Sequence, residues 1–314
     1  MRTESLRKVP DGSVTCRRTI TREVCCEGRG LHTGTYASVR LSPNPGAHGI
    51  HFAFRRGEYA IEEAVPSGTS RGTDLLFPGG VRLKTAEHLL AAVGGLALDS
   101  LTIRVGNADG PDASTESEQT RDGDGAVLEI PALDGCSAQW VRLLRDAGIE
   151  ERDGCSTPLV PPVPVVLSDE EGKRFIAAFP SDDFRIDYVI QYPSIPDIGT
   201  QAFSVRTDPE TFERELAGAR TFALASEIET LRRNGLARGG SLENATVFGE
   251  EPGSVQAKGG LRFPDEPVRH KVLDLIGDLV LVGRPVRARI VAFRAGHEMH
   301  LRLVHALKAL TLRQ

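Results

Sequence analysis

The residues best equipped for chemistry crowd one stretch, RFPDEPVRHKVLDLIGDL (262–279). His270, Asp274 and Asp278 recur there at i, i+4 and i+8, with Lys271 close by. At roughly 100° per residue they share one side of a helix, and Val268, Val272, Leu275, Ile276 and Leu279 share the other. His270 and Asp274, one turn apart, can aim at a single metal ion. Taken alone, that face reads equally well as a solvated surface carrying an His–Asp ion pair. Three further histidines stand next to glycine or a carboxylate: His88 after Glu87 in KTAEHLLAA, His297 in AGHEMH, and His32 in the glycine-rich GRGLHTG (28–34). Solvated surface is the default reading of an isolated Glu-His pair. A turn histidine satisfied by backbone is as good a reading of His32 as a functional one.

A catalytic zinc typically takes three protein ligands and leaves one position for water. His270 and Asp274 supply two, and His88 is the natural third. Glu87 is then a general base for water whose pKa zinc lowers from about 16 to about 7. A positioned base of this kind contributes roughly 10²–10⁴-fold, and a helix N-terminus favours its ionised form. His297 can protonate a leaving amine. Ligands so far apart in sequence place the site between two domains, a common location for a ligand cleft.

The elements that must position these groups are readable from pattern. Pro267, preceded by Asp265 and Glu266, suits the first turn of the His270 helix. Thr85 is placed to cap the helix that Glu87 and His88 open, with Gly94-Gly95 as its stop. Strands are expected over Cys16–Val24, Ala37–Leu41, Ile50–Phe54, Leu101–Val105 and Val127–Ile130, with a turn at NPG (44–46). A helix capped by Asp134 or Ser137 runs to Ala147 and stops at Gly148. In the second half, strands are expected over 165–167, 173–179, 184–192 and 288–293. Helices follow Asp208-Pro209, span Ile228 and Leu231, and begin near His297. Strands and helices mix without a βαβ rhythm, which indicates α+β in two similar domains.

The divisions expected are a flexible tail over 1–15, a first domain over 16–150, a linker rich in charge and proline over 151–164, and a second domain over 165–314. Residues 108–125 are polar, acidic and nearly free of apolar side chains, the composition of a mobile surface loop. The 314 residues carry a net charge of −5 with scattered basic residues, so no nucleic-acid partner is expected. No apolar run approaches 18 residues and the N-terminus lacks a signal-like apolar core, so no integral membrane association is expected. Five cysteines, with no C-x-x-C, suggest neither a thiolate metal site nor a disulfide framework, and a reducing cytoplasmic setting fits them.

KTAEHLLAA, GRGLHTG, GARTF (218–222), RGGS (238–241), RFPDEPVRHKVLDLIGDL and AGHEMH together resemble the UDP-3-O-acyl-N-acetylglucosamine deacetylase family, from about Cys16 to Leu310. The resemblance implies a zinc amidohydrolase of lipid A synthesis that removes acetate from an acylated UDP-amino sugar. It implies two α+β domains, each a mixed sheet layered against helices, with the active site in the interdomain cleft; a monomer is expected. It implies His88, His270 and Asp274 as zinc ligands, Glu87 as base, and His297 as acid steadied by Asp278. Thr221 and Lys271 would face the developing oxyanion, and Phe222, Gly239 and Gly240 would contact substrate. The chain departs from the family at Glu298 and His300, where the family often has a small residue and Asn, and Glu298 is expected to raise the pKa of His297. The acidic loop has the look of an insertion, and GTSRGTDLLF (68–77) has no close family counterpart. A zinc amidohydrolase of another N-acyl sugar nucleotide, or a non-catalytic sugar-nucleotide-binding paralogue, are the alternatives. Loss of Glu87 or His297 would mark the latter, and neither is lost.

Overall fold

The computed structural model describes residues 15–44, 48–55, 57–66, 72–107 and 127–311. Its first half runs β1 (Thr15–Ile20), β2 (Val24–Arg29), β3 (Tyr36–Pro43), β4 (Gly49–Phe54), β5 (Gly57–Ala60), β6 (Val65–Pro66), β7 (Leu75–Leu76), β8 (Arg82–Lys84), α1 (Glu87–Gly95), β9 (Ser100–Asn107), β10 (Val127–Glu129), α2 (Ala138–Asp146) and β11 (Ile149–Ser156). The second half runs β12 (Val165–Ser168), β13 (Phe175–Pro180), β14 (Arg185–Tyr192), β15 (Gly199–Arg206), α3 (Pro209–Glu215), β16 (Phe222–Leu224), α4 (Ala225–Arg233), β17 (Thr246–Phe248), α5 (Glu266–Val280), β18 (Ala288–Phe293) and α6 (His297–Thr311).

The two large sheets share one plan. The first is ordered β2-β3-β9-β4-β5 and the second β12-β13-β18-β14-β15. In each, the strand that follows the buried helix enters the middle. It pairs antiparallel with the second strand and parallel with the third, as β9 does with β3 and β4, and β18 with β13 and β14. Alternation sets the faces: Leu101, Ile103 and Val105 of β9 turn inward, as do Ile186, Tyr188 and Ile190 of β14. This is the expected α+β class, built twice. A small sheet β10-β8-β7-β6 and a parallel β16-β17 pair flank the two frames. No described helix is long and apolar enough to cross a membrane.

The helices α1 and α5 pack directly on each other, and glycine sets how close they come. A Cβ on Gly277 would lie 2.1 Å from the Glu87 carbonyl oxygen and 3.1 Å from the Ala91 nitrogen. Without a side chain there, the backbone of α1 sits against α5 at the turn that carries Glu87 and His88. Farther along, a Cβ on Gly94 would approach the Val280 Cγ2 to 2.7 Å. The polar side of α5 is therefore not solvated. His270, Asp274 and Asp278 are each at most 1% exposed.

Several local expectations give way. The strand expected over Cys16–Val24 is two, because the chain turns at Thr21–Glu23, where Thr21 is tied to Gly148 and Ala147. Thr85 is no cap. It has a φ of 56° and its hydroxyl donates to Glu129 Oε1, which leaves Ala86 at the N-cap without a side-chain bond. Ser137 occupies its N-cap position, but its hydroxyl donates to the His88 carbonyl instead. Asp208 does cap α3, accepting from the Thr211 N–H at 2.8 Å. Residues Ile149–Ser156, partly inside the expected linker, form β11 and pair with β1. The strand β15 had no expected counterpart. The tail over residues 1–14, most of the NPG turn and the acidic loop lie outside the described residues.

Candidate active site and metal centre

Each element end delivers one piece. The start of α1 brings Glu87 and His88, α5 brings His270, Lys271, Asp274 and Asp278 on successive turns, and the start of α6 brings His297. His88, His270 and Asp274 each offer a ligand atom, all within 4.8 Å of one another, and all three residues are buried. Their imidazole rings stand edge to face, with centroids 5.0 Å apart. Asp274 Oδ1 lies 3.2 Å from His270 Nε2 and 3.7 Å from His88 Nε2.

The donor set fits a metal ion. Asp274 Oδ1 is buried with no hydrogen-bond partner among the described residues, so a cation would complete it. Its other oxygen, Oδ2, accepts from Lys271 Nζ at 2.7 Å. His270 Nδ1 donates to the Ala219 carbonyl at 3.1 Å, which turns the lone pair of Nε2 toward the site. Burial, reinforced by neighbouring His270, takes His88 down to about 3, and burial also lowers His270. Neutral imidazoles are what a metal requires. Burial opposes ionisation of Asp274, but His270, Lys271, His297 and His88 outweigh it and keep the carboxylate well below its usual range.

Glu87 and His297 flank this cluster. Burial raises Glu87 to about 7, with Asp274 and Asp278 adding to the rise and His297 opposing it. One Glu87 oxygen accepts from the Thr73 N–H at 3.0 Å. His297 behaves oppositely: burial pulls it down, but Asp278 and Asp274 carry it up to about 9. Its Nδ1 donates to Asp278 Oδ2 at 2.8 Å, leaving Nε2 directed at the cluster, 3.5 Å from Asp274 Oδ2. Their shifts run apart, so Glu87 can take a proton near neutrality while His297 can still give one.

These groups line a pocket of about 170 Å³ together with Leu31, Tyr192, Thr221, Phe222 and Glu227. Both halves of the chain contribute to it. Thr221 is fixed by main-chain bonds on both sides, to the Gly135 carbonyl and from the Thr246 N–H. Lys271 Nζ sits 5.6 Å from the Phe222 ring centroid. Gly239 and Gly240 are not on the pocket wall. Gly239 packs behind it, donating its N–H to the Leu31 carbonyl. His32 belongs to that turn, where its Nδ1 accepts from the Ala237 N–H at 3.4 Å. Glu298 does not act on His297. Its side chain is 62% exposed and pairs with Arg174.

Four supports had no role assigned from sequence. Thr73 donates its hydroxyl to Asp278 Oδ1, behind the acid. His300, wholly buried, donates Nδ1 to Asp278 Oδ2 at 2.8 Å and meets the Tyr188 hydroxyl with Nε2 at 2.9 Å. Glu129 accepts from the His32 and Thr33 N–H groups and from two threonine hydroxyls, and so pins the GRGLHTG turn. The absence of side chain at Gly30 leaves room for that carboxylate, since a Cβ would lie 2.2 Å from it. Finally, buried Arg220 clasps Glu266 at the first turn of α5 and donates to the Lys258 and Gly260 carbonyls. Only the i, i+3 spacing of His297 and His300 was a usable signal, because it puts both on one side of α6.

Residues 17–309 match the model of the UDP-3-O-acyl N-acetylglycosamine deacetylase family. The chain belongs to that family. It is 37% identical over 298 residues to the UDP-3-O-acyl-N-acetylglucosamine deacetylase of Anaeromyxobacter dehalogenans, covering 93% of this chain and 87% of the relative. The enzyme of the same name from Chlamydia muridarum is 40% identical over 291 residues, covering 91% and 93%. That from Myxococcus xanthus is 36% identical over 294 residues, covering 92% and 85%.

Proposed function

We propose that this chain hydrolyses the acetamide of UDP-3-O-acyl-N-acetylglucosamine, releasing acetate, in lipid A biosynthesis, with zinc held by His88, His270 and Asp274. The observation that carries the reading is the convergence of those three ligand atoms between Glu87 and His297. Two imidazoles and one carboxylate are a donor set suited to catalytic zinc. When bound, zinc supplies a Lewis acid that polarises a carbonyl and makes water more acidic. Glu87 takes the proton from the attacking water. His297, charged by its bond to Asp278, gives a proton to the departing amino nitrogen, and the C–N bond breaks as acetate forms. Lys271 and Thr221 face the oxygen on which negative charge develops. Phe222 packs on the substrate, and Gly239 supports the Leu31 wall from behind.

We further propose that each large sheet with its helices forms a domain, and that the enzyme is a cytoplasmic monomer without nucleic-acid partners. The test pairs metal with base. Chelation should abolish acetate release and added zinc restore it, while Glu87→Ala should keep one zinc per chain and lose turnover. Activity that survives both changes refutes the mechanism. Equal turnover of UDP-N-acetylglucosamine without its acyl chain would instead reassign the substrate.

A further inference from the structure

The larger cavity lies at the other end of the helices that carry the metal site. It measures about 400 Å³ and is framed by the last turns of α1 and α5. Ile50 and Leu98 wall it from one half of the chain, and Ile276, Leu279 and Val286 from the other. None of the residues assigned above to zinc, proton transfer or substrate reaches it. Its size falls within the range of small-molecule sites, which are mostly apolar with a few placed polar groups.

The polar groups around it are almost all spoken for. Asp183 pairs with Arg206 at 3.2 Å. Asp208 caps α3. Asp99 accepts from the Arg18 N–H at 2.9 Å. The helix ends are closed by their own turns, with the Leu96 N–H on the Ala92 carbonyl and the Val282 N–H on that of Leu279. Asp182 is exposed, and among the buried polar atoms of the lining Arg284 Nε is the exception, on a side chain that makes no hydrogen bond or ion pair among the described residues. A buried guanidinium Nε without an acceptor is costly, and a carboxylate answers it with a two-pronged fit.

We propose that this cavity is a second binding site, separate from the catalytic pocket, for an amphipathic monoanion: one carboxylate on Arg284 and a short alkyl body between the two halves. Arg206 and Arg287 also line the cavity but have partners, so Arg284 is the cation left to hold the head group, and the tail adds apolar contact.

The probe is octanoate, titrated calorimetrically into the zinc-loaded protein, with octylammonium as the charge-reversed control. One-to-one binding of octanoate, and none of octylammonium, is expected. Arg284→Gln should weaken octanoate by about tenfold or more while acetate release stays at the parent rate. Val286→Phe, which fills the cavity and spares the guanidinium, should weaken it too, and serves if Arg284→Gln fails to fold. Glu87→Gln protein saturated with acylated UDP-sugar should still bind octanoate. The proposal is overturned if octanoate does not bind, if octylammonium binds as well, if both variants bind it normally, or if substrate displaces it.

Discussion

Substituting Gly277 by alanine tests how the packing of two helices governs the chemistry. The added Cβ would meet the Glu87 carbonyl oxygen at 2.1 Å, where real contacts stop near 3.0 Å, so α1 must retreat by at least the difference of 0.9 Å. The atom in the way is backbone, and no rotamer change relieves it. Alanine gains about 1 kcal/mol in helix propensity over glycine, against roughly 1–3 kcal/mol for overpacking. The net loss is a modest share of a typical stability of about 5–15 kcal/mol, so the variant should fold. The site is far less forgiving. His88 rides on α1 while His270 and Asp274 ride on α5, and metal–ligand distances tolerate only about 0.2 Å. A displacement near 1 Å at a reacting centre costs on the order of 10²-fold. Zinc affinity by chelator competition and acetate release should therefore fall together, with the unfolding midpoint little changed. Gly94→Ala is the control, because its Cβ meets the tip of a valine side chain that can turn away. A Gly277→Ala enzyme with parental zinc affinity, and turnover within about threefold of the parent, would refute the reasoning.

Replacing Glu87 by Gln should lower kcat by roughly 10²–10⁴-fold with zinc content unchanged by metal analysis. The pH–rate profile should be bell-shaped. Activity rises as Glu87 loses its proton, which happens by about 7 in the metal-free site and earlier beside a bound cation, and falls as His297 loses its proton near 9. Asp278→Asn removes the charge that holds the His297 proton, so its falling limb should move to lower pH in a stopped-assay series. Arg220→Met should cost about 3–5 kcal/mol in urea unfolding by stranding Glu266, and Arg220→Met with Glu266→Met should recover most of it. If single and double variants are equally unstable, the pair is not the unit described.

What the sequence disclosed follows from what is local. Spacing placed His270, Asp274 and Asp278 on one side of a helix because 3.6-residue geometry is intrinsic, and Asp208-Pro209 announced α3 because capping is a contact within four residues. Long-range partners left no trace. Thr73 reaches Asp278 across 205 positions, and Thr85, which looked like a cap, is claimed by Glu129 from a strand 44 residues away. The solvated reading of the Glu87-His88 pair was reasonable for an isolated helix start and fails because a second helix covers it. Gly277 looked like an ordinary helix interruption, since a sequence does not show which backbone will pass beside it. β15 was missed because its neighbours in the sheet, not its own residues, make it a strand.

The shared plan of the two sheets has a thermodynamic consequence. In the proposed metal site one ligand, His88, comes from the first frame, and two, His270 and Asp274, from its counterpart. A bound ion is therefore a rivet through the seam where α1 meets α5. Because unfolding separates the three ligands, the folded state gains by mass action, about 4 kcal/mol when free metal stands a thousandfold above its dissociation constant. Metal scarcity would then act on the enzyme twice, silencing its chemistry and loosening the joint on which that chemistry is assembled.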